Sequence, residues 1–441
     1  MPDWIRPYGV VIGGVLEFGL ELAIVDGVIQ DVRPHTGPAE PFVISPAFVN
    51  AHSHLEYRGM QDQIPHPEYY EWIYELSRLK PLETPEFVAA QCDLAALENR
   101  KTGVAWIGEH SDRLGSAAAM VKHGLGGWIF QEVITSGSPD IAATMRAVQA
   151  RLVTNNSFLT DLYASSNPYQ TLDVIDEHGP GGSQTVARAS KTLGPIVESQ
   201  ESESRRNPVV TTAIPPIGSS LNPHAYFTVD REILRQFGAS GEPSSIHVAE
   251  TIHESNFTRT GTGPLAERRR SFGVPFEIYG LSVVQVLDEL GVLRPGMQCV
   301  HCCDVDENDI AIMAKRGVTI AHCPRSNVRL QCPIAPVREF LDAGITVGLG
   351  MDSPASGGPI DMFTEMRSTL AVSRERGVPI TAEEVWRMAT SEGYKSFGKP
   401  SDEAWDIYIG SKTPLIKLHL LGGNNVSDLI KLSSPDLVSW I

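Results

Sequence analysis

Two histidines separated by a single residue follow a short apolar run early in the chain. His52 and His54 come shortly after Pro46–Val49. Residues i and i+2 of an extended strand point to the same side, so both imidazoles can reach one metal ion. Because His-x-His pairs also arise by chance, this pair alone is weak evidence for a metal site.

Four further polar residues lie at or just beyond the ends of later apolar runs. His247 lies near the end of Ser245–Val248 and Glu250 stands three residues further on, while His301 ends the next run and Asp352 follows the last. In a parallel α/β barrel the carboxyl ends of the strands face one mouth, so these residues would converge. Each histidine could instead be a hydrogen-bonded core residue, and Asp352 a helix N-cap. Their joint occurrence favours a metal centre.

The elements that must position these residues follow an alternating pattern. Short apolar runs that end in a polar residue alternate with helix-like stretches, as in βα units and a parallel sheet. The predicted strands are Pro46–Asn50, Val104–Gly108, Trp128–Ile134, Ile217–Asn222, Ser245–Val248, Gln298–His301, Thr319–Ala321 and Thr346–Gly350. The predicted helices include Pro85–Lys101, Val283–Leu290, Asp306–Arg316, Pro336–Ala343 and Ala382–Ala389.

This pattern predicts an α/β protein built as a (β/α)₈ TIM-like barrel over residues 46–401. The ends differ from the barrel, because Gly9–Gly13, Leu20–Val25 and Val28–Val32 read as short strands and the tail from 402 has more of them. We expect residues 1–45 and 402–441 to pair as a small β-sandwich. The stretch from 136 to about 216 is too long for one crossover helix and predicts extra helices and a surface loop.

The ordered residues resemble the amidohydrolase superfamily, specifically its cytosine deaminase, guanine deaminase and chlorohydrolase branch. The resemblance runs from about residue 20 to 400, and the segment from Leu55 to Trp72 and Ile73 is most similar to aminodeoxyfutalosine deaminases. Besides the residues named above, it is carried by the motifs Pro46–Asn50, Asn222–Tyr226, Ala321–Asn327 and Gly350–Ser353. The resemblance implies the barrel and the small β-sandwich already expected from the pattern.

The resemblance also implies a set of metal ligands, namely His52, His54, His247 and Asp352. Imidazole and carboxylate suit one divalent ion, with Zn²⁺ as first choice and Fe²⁺ as the alternative. In two-metal relatives a lysine at a strand end carries a bridging carbamate. No lysine ends a predicted strand at that position here, so one metal is expected.

The implied chemistry is hydrolysis by a metal-bound hydroxide, since a divalent ion lowers the pKa of its water to roughly 7. Asp352 would take the proton of the water, and His301 would orient the hydroxide and stabilise developing charge. Glu250 would protonate a ring nitrogen and then the departing ammonia. His224 and Trp72 would contact the substrate, although a structural role for His224 is an open alternative.

These roles predict a metal-dependent hydrolase that deaminates an amino-substituted heterocycle, such as a purine-type nucleoside. A chlorohydrolase acting on a triazine or pterin-like ring is the alternative within the same branch. A non-catalytic barrel with a structural metal is a remote alternative, because Glu250 and His301 would then have no reason to accompany the ligands. The other alternative from a different functional class is a metal-independent binding protein, which metal analysis would exclude.

Composition limits the partners. The 441-residue chain carries a net charge of −17 and no long basic run, which argues against nucleic acid or an anionic membrane as the main partner. A small-molecule heterocycle is the expected partner, and a homodimer is a family expectation. The absence of a signal-like or long apolar segment predicts a cytoplasmic protein. Cys299-x-x-Cys302 lacks the second pair that a four-cysteine zinc site needs, so packed, reduced thiols are expected.

Overall fold

Parallel strands from the middle of the chain and mainly antiparallel strands from its two ends make up the β-structure of this computed structural model. The structure describes residues 4–65, 67–164, 216–398, 404–420 and 422–441. In this part of the chain the strands are β1 Trp4–Ile5, β2 Pro7–Ile12, β3 Val15–Phe18, β4 Leu20–Val25, β5 Val28–Pro34, β6 Glu40–Pro46, β7 Phe48–Ser53, β8 Val104–Ser111, β9 Gly126–Val133, β10 Ile217–Pro223, β11 Ser244–Val248, β12 Met297–His301, β13 Thr319–His322, β14 Val347–Leu349, β15 Leu415–Leu418 and β16 Val438–Trp440.

The parallel strands form two sets of four, in the orders β10-β9-β8-β7 and β11-β12-β13-β14. Backbone hydrogen bonds join the sets at both edges. The His52 carbonyl accepts from the amides of Met351 (3.1 Å) and Asp352 (2.9 Å), and the His224 carbonyl accepts from the His247 amide (2.9 Å). The eight strands therefore follow one another around a barrel, and the predicted (β/α)₈ fold is confirmed.

All eight predicted barrel strands are present, and they differ from the prediction only at their ends. The first was predicted to begin at Pro46 but begins at Phe48, because Pro46 is the last residue of β6 in the terminal sheet. The second was predicted to end at Gly108 but continues to Ser111. That extension adds a histidine to the barrel mouth, as described below.

The helices alternate with the barrel strands. Over the described ranges they are α1 Tyr69–Leu79, α2 Pro85–Lys101, α3 Ser116–Lys122, α4 Ile141–Ala164, α5 Arg231–Ala239, α6 Ile252–Thr260, α7 Pro264–Ser271, α8 Val283–Glu289, α9 Glu307–Arg316, α10 Pro324–Arg329, α11 Val337–Asp342, α12 Pro354–Gly357, α13 Met362–Glu375, α14 Ala382–Met388, α15 Ser391–Lys395 and α16 Val426–Leu432. The five predicted helices correspond to α2, α8, α9, α11 and α14.

Helix α2 shows why these segments fold as they do. The Thr84 hydroxyl accepts from the Phe87 amide at 3.2 Å and Pro85 occupies the first turn, both of which favour a helix start. Val88, Cys92 and Ala95 then recur at helical spacing and are buried against the barrel core.

Small side chains allow the first and last barrel strands to approach closely. Gly350 faces His52 and Cys323, and a Cβ at this glycine would lie 2.8 Å from both the His52 Cβ and the Cys323 Sγ. Ala51, Ala321 and Cys323 are buried in the same small cluster, which also contains Val300. The close packing of this layer holds His52 directly above it.

Both chain ends contribute to one five-stranded sheet, in the order β16-β15-β6-β2-β3, beside a three-stranded sheet, β1-β4-β5. Strand β6 pairs antiparallel with β15, which places Val43 opposite Leu418. The structure thus adds β1, β3 and β6 to the N-terminal strands read from the sequence. The domain boundaries at 45 and 402 stay a prediction.

Other expectations have mixed outcomes. Helix α4 is one of the extra helices expected after residue 136, whereas residues 165–215 lie outside the described residues. All six cysteines are free thiols, as predicted. Within the described ranges, no helix is long and apolar enough to cross a membrane.

Candidate metal centre and active site

The four predicted metal ligands lie together at the barrel mouth. The Nε2 atoms of His52 and His54 lie 3.4 and 3.7 Å from Asp352 Oδ1. The His247 ring centroid is 5.0 Å from that of His52. Candidate ligand atoms of His52, His54 and Asp352 lie within 4.8 Å of one another, and the same holds for His52, His247 and His301. All of these side chains therefore face one small space.

Strained backbone at the ends of the barrel strands helps to orient the side chains of the site. Ala249, His301, Cys302 and Asp352 have φ values of 47°, 72°, 50° and 54°, in the left-handed region that non-glycine residues rarely adopt. Such residues cost on the order of 1–3 kcal/mol each and persist only where the surroundings hold them. Here the Val248 carbonyl accepts from the Cys302 amide at 3.0 Å. Strain concentrated at a barrel mouth is typical of a functional site.

Two serines hold the carboxylate of Asp352. Ser326 Oγ and Ser356 Oγ donate to its Oδ2 at 2.6 and 2.8 Å, which leaves Oδ1 facing His52 and His54. Burial raises the pKa of Asp352, but the close contact with His52 and the electrostatic effect of the neighbouring histidines outweigh burial and hold the pKa well below its usual range. The carboxylate is thus ionised and oriented as a metal ligand requires.

Two of the predicted ligands, His54 and His247, are held in the neutral form that binds metal ions. Burial lowers the pKa of His54 well below its usual value and that of His247 to about 4. His247 Nδ1 lies 2.7 Å from the His224 carbonyl and must donate to it, so the lone pair of His247 is on Nε2. Both ring nitrogens of His52 are buried with no hydrogen-bond partner among the described residues. These orphaned nitrogens fit a divalent cation, which would satisfy one of them directly.

Glu250 and His301 stand beside the proposed ligands. His301 Nε2 lies 3.5 Å from Glu250 Oε1, and the Asn327 amide donates to His301 Nδ1 at 3.0 Å. The hydrogen of neutral His301 is then on Nε2, where it faces the site. Burial, followed by the charges of Asp352 and Glu254, raises the pKa of Glu250 well above its usual value, against a lowering hydrogen bond from Tyr69. The raised pKa favours the protonated form of Glu250, from which it can act as a proton donor.

The two predicted substrate contacts have different surroundings. His224 is half-buried, its Nδ1 lies 2.9 Å from Thr228 Oγ1, and its carbonyl anchors His247, which is the structural role left open from the sequence. Trp72 lies on α1 in a buried cluster with Tyr57 and Tyr69. Its Nε1 is buried with no hydrogen-bond partner in the described part of the chain. Direct substrate contact by either residue stays a prediction.

Sequence reasoning missed several residues of the site. His110, in the part of β8 beyond the predicted end, and Glu132, a charged residue inside the predicted third strand, are both buried next to the metal ligands. A polar residue in an apolar run was the signal that could have found Glu132. Ser326 and Tyr69 lie in segments that carry the family resemblance, Ala321–Asn327 and Leu55–Trp72, but neither they nor Ser356 were assigned a role from the sequence.

An α/β barrel whose mouth gathers buried histidines, an ionised aspartate and a protonated glutamate defines a metal-dependent hydrolase. Residues 43–402 match the Amidohydrolase family, and the chain belongs to this family. As a member, it is a metal-dependent hydrolase that acts on carbon–nitrogen bonds, and the family predicted from the sequence is confirmed.

Known proteins similar to the chain agree with this assignment. It is 29% identical over 395 residues to a 5-methylthioadenosine/S-adenosylhomocysteine deaminase from Natronomonas pharaonis, covering 87% of this chain and 74% of the relative. The structure of a zinc-bound adenosine deaminase from Xanthomonas campestris has a TM-score of 0.72 at 21% identity. This match covers 99% of this chain and 90% of the Xanthomonas chain. The structure of Helicobacter pylori aminofutalosine deaminase in complex with methylthio-coformycin also has a TM-score of 0.72, at 15% identity. This match covers 97% of this chain and 95% of the Helicobacter chain. The two structures support the fold.

Proposed function

We propose that this protein deaminates an adenine-type nucleoside with one divalent ion, Zn²⁺ by preference, held by His52, His54, His247 and Asp352. The observation that carries the proposal is the buried Glu250 carboxyl, 3.5 Å from His301 Nε2 at the edge of the ligand cluster. Deamination of an aromatic ring requires a proton on the ring nitrogen and another on the leaving ammonia. A buried carboxyl group next to the ligands can supply the first proton and, after taking up another from the added hydroxyl, the second.

The side chains divide the proton transfers among them. When bound, a divalent ion supplies Lewis acidity and makes water a nucleophile at neutral pH. Asp352, ionised and held by two serines, accepts a proton from the attacking water. Glu250 gives its proton to the ring nitrogen next to the carbon under attack, and the hydrogen on His301 Nε2 stabilises the oxygen that adds to this carbon. Glu250, now ionised, takes the remaining proton of the added hydroxyl and passes it to the amino group, so that the carbon–nitrogen bond breaks and ammonia leaves. The proton held by Asp352 then restores Glu250.

The preference for a nucleoside rests on the relatives and on the surroundings of the site. The Natronomonas relative is named for two adenosine derivatives. Trp72 with its free indole N–H, and half-buried His224, provide an apolar surface and a polar group for a ring and its sugar. A cytoplasmic location and a homodimer also stay predictions from the sequence.

Ammonia release from a panel of amino-heterocycles tests the proposal. The metal-replete protein is incubated with adenosine, 5′-deoxyadenosine derivatives, aminopterins and aminotriazines, together with the chloro analogue of each ring. We expect the adenine nucleosides to have the highest kcat/KM. Chloride release from a chlorotriazine, without ammonia release from any amino substrate, would instead identify the chlorohydrolase alternative.

Metal analysis of the same preparation tests the ion. We expect about one divalent metal per chain, and its removal by a chelator should abolish activity until metal is restored. Two tightly bound metals, or full activity with none, would contradict the ligand set.

A further inference from the structure

A second pair of ionisable side chains lies beside the metal ligands and has no part in the proton transfers above. His110 and Glu132 are 0% and 1% exposed, and His110 Nδ1 is 3.4 Å from Glu132 Oε1. Yet neither ring nitrogen of His110 and neither carboxylate oxygen of Glu132 has a hydrogen-bond partner among the described residues. Burying such groups unpaired costs several kcal/mol, so a role in folding does not account for them.

The pair contacts three of the proposed metal ligands. The His110 ring centroid lies 4.3 Å from that of His52 and 5.6 Å from that of His54. Glu132 Oε1 lies 3.9 Å from His247 Nδ1, which is the protonated ring nitrogen and not the one that would bind the metal. One oxygen of Glu132 also lies within 4.8 Å of a ring nitrogen of His54.

The outer nitrogen of His54 needs an acceptor. His54 Nε2 faces Asp352, whereas its Nδ1 is buried with no partner in the described residues. A histidine that binds a metal through one nitrogen commonly donates the hydrogen on the other to a carboxylate, which fixes its tautomer and ring orientation. Glu132 is a carboxylate in the right place for this contact.

We propose that Glu132 is a positioning residue that accepts a hydrogen bond from the outer nitrogen of His54, and that His110 holds Glu132 in place. The inference rests on the proposed metal ligands. A second cation at His54, Glu132 and His247 fits less well, because His247 Nδ1 already gives its hydrogen to the His224 carbonyl.

Zinc affinity of the apoprotein separates this role from a structural one. Affinity is measured by competition with a chelator on wild type, Glu132→Gln and Glu132→Ala, and the melting temperature of each apoprotein is recorded alongside. We expect zinc to bind roughly 10- to 100-fold more weakly to Glu132→Ala, the usual cost of losing the partner of a metal-binding histidine. The loss should be smaller in Glu132→Gln, because its amide oxygen can still accept a hydrogen bond. The Glu132→Gln apoprotein should melt no lower than wild type, because a neutral group of the same shape replaces a buried carboxyl without partners.

Glu109 provides a matched control. It lies on β8 next to His110 and is also fully buried, but it accepts from the Ser116 hydroxyl at 2.7 Å and the Leu55 amide at 3.1 Å. Glu109→Gln should lower the melting temperature and leave zinc affinity unchanged.

Three results would overturn the inference: zinc affinity within twofold of wild type in both Glu132 variants, the same loss in Glu109→Gln, or two zinc ions per wild-type chain. Failure of the proposed function would look different, because wild type itself would then bind no zinc or release no ammonia.

Discussion

Two buried glutamates, one in the terminal sheet and one at the barrel mouth, have opposite surroundings. Glu21 on β4 is 4% exposed and accepts from Arg6 Nε at 2.6 Å and Arg33 Nε at 2.7 Å. Hydrogen bonds from Arg6 and then Arg33 lower its pKa. Glu132 is 1% exposed and has neither a cation nor a hydrogen bond in the described structure, and burial raises its pKa.

This difference in partners distinguishes buried residues that maintain the fold from buried residues whose polar atoms are left to interact with a bound ligand. In the terminal sheet each buried charge is neutralised within the protein, so the local structure is complete. At the barrel mouth, orphaned nitrogens and oxygens occur together with left-handed backbone at His301 and Asp352. The rest of the barrel must supply the free energy that holds this arrangement, which is expected of a site made to bind a metal and substrate.

Removal of a metal ligand should have the largest effect at the barrel mouth. In His52→Ala one of four ligands is lost, so both metal content and kcat/KM should fall. The loss should exceed the roughly 100-fold that removal of a ligand's hydrogen-bond partner can cost. Elemental analysis and an ammonia assay on the same sample measure both. Normal metal retention would remove His52 from the ligand set.

Loss of the proton donor should reduce catalysis without loss of metal. Glu250→Gln keeps the shape of the side chain but cannot transfer protons, so deamination should slow by at least roughly 100-fold. Metal content should equal that of wild type. Near-normal deamination by the metal-replete variant would contradict the role of Glu250.

A matched chloro substrate sharpens the Glu250 test, because chloride leaves without a proton and ammonia does not. The variant should lose more activity on the amino ring than on the chloro ring. Equal losses would confine Glu250 to protonation of the ring nitrogen.

Glu21→Gln should change stability and leave the site unaltered. Loss of the charge that Arg6 and Arg33 share should lower the melting temperature at pH 7, with metal content and kcat/KM unchanged. Because the pKa of Glu21 is below its usual value of 4.5, its stabilisation is complete above that pH and is lost as the pH falls through the lowered value. The melting difference between wild type and variant should therefore vanish in acid. A difference that persists there would mean that packing, not charge, is responsible.

The smallest effect is expected at the cysteines near the site. Burial raises the pKa of Cys302 and Cys303, so both remain unreactive thiols. Cys302→Ser and Cys303→Ser should each retain metal and most activity in the same assays. Metal loss in either variant would place a thiol in the ligand set.

The eight barrel strands and the gathering of His52, His54, His247, His301 and Asp352 could be predicted from the sequence. Both follow from local rules. Alternation of apolar runs and helices defines a parallel barrel, residues two apart on a strand share a side, and strand ends share a mouth. The terminal sheet was only partly predicted, because short strands such as β1 and β3 carry too few residues for a clear pattern.

The sequence by itself thus determined the fold, the family and the residues at the centre of the site. Only the tertiary structure decided which polar side chains contact these central residues. Glu109 and His110 are adjacent on β8, yet Glu109 is satisfied by Ser116 and Leu55 whereas His110 lies against His52. Successive side chains on a strand point to opposite faces, and the strand's position in the closed barrel sets which face turns inward. Likewise, Ser326 on α10 reaches Asp352 from 26 residues away only because the two segments meet at the mouth, whereas Ser356 reaches it locally from α12, four residues further along the chain.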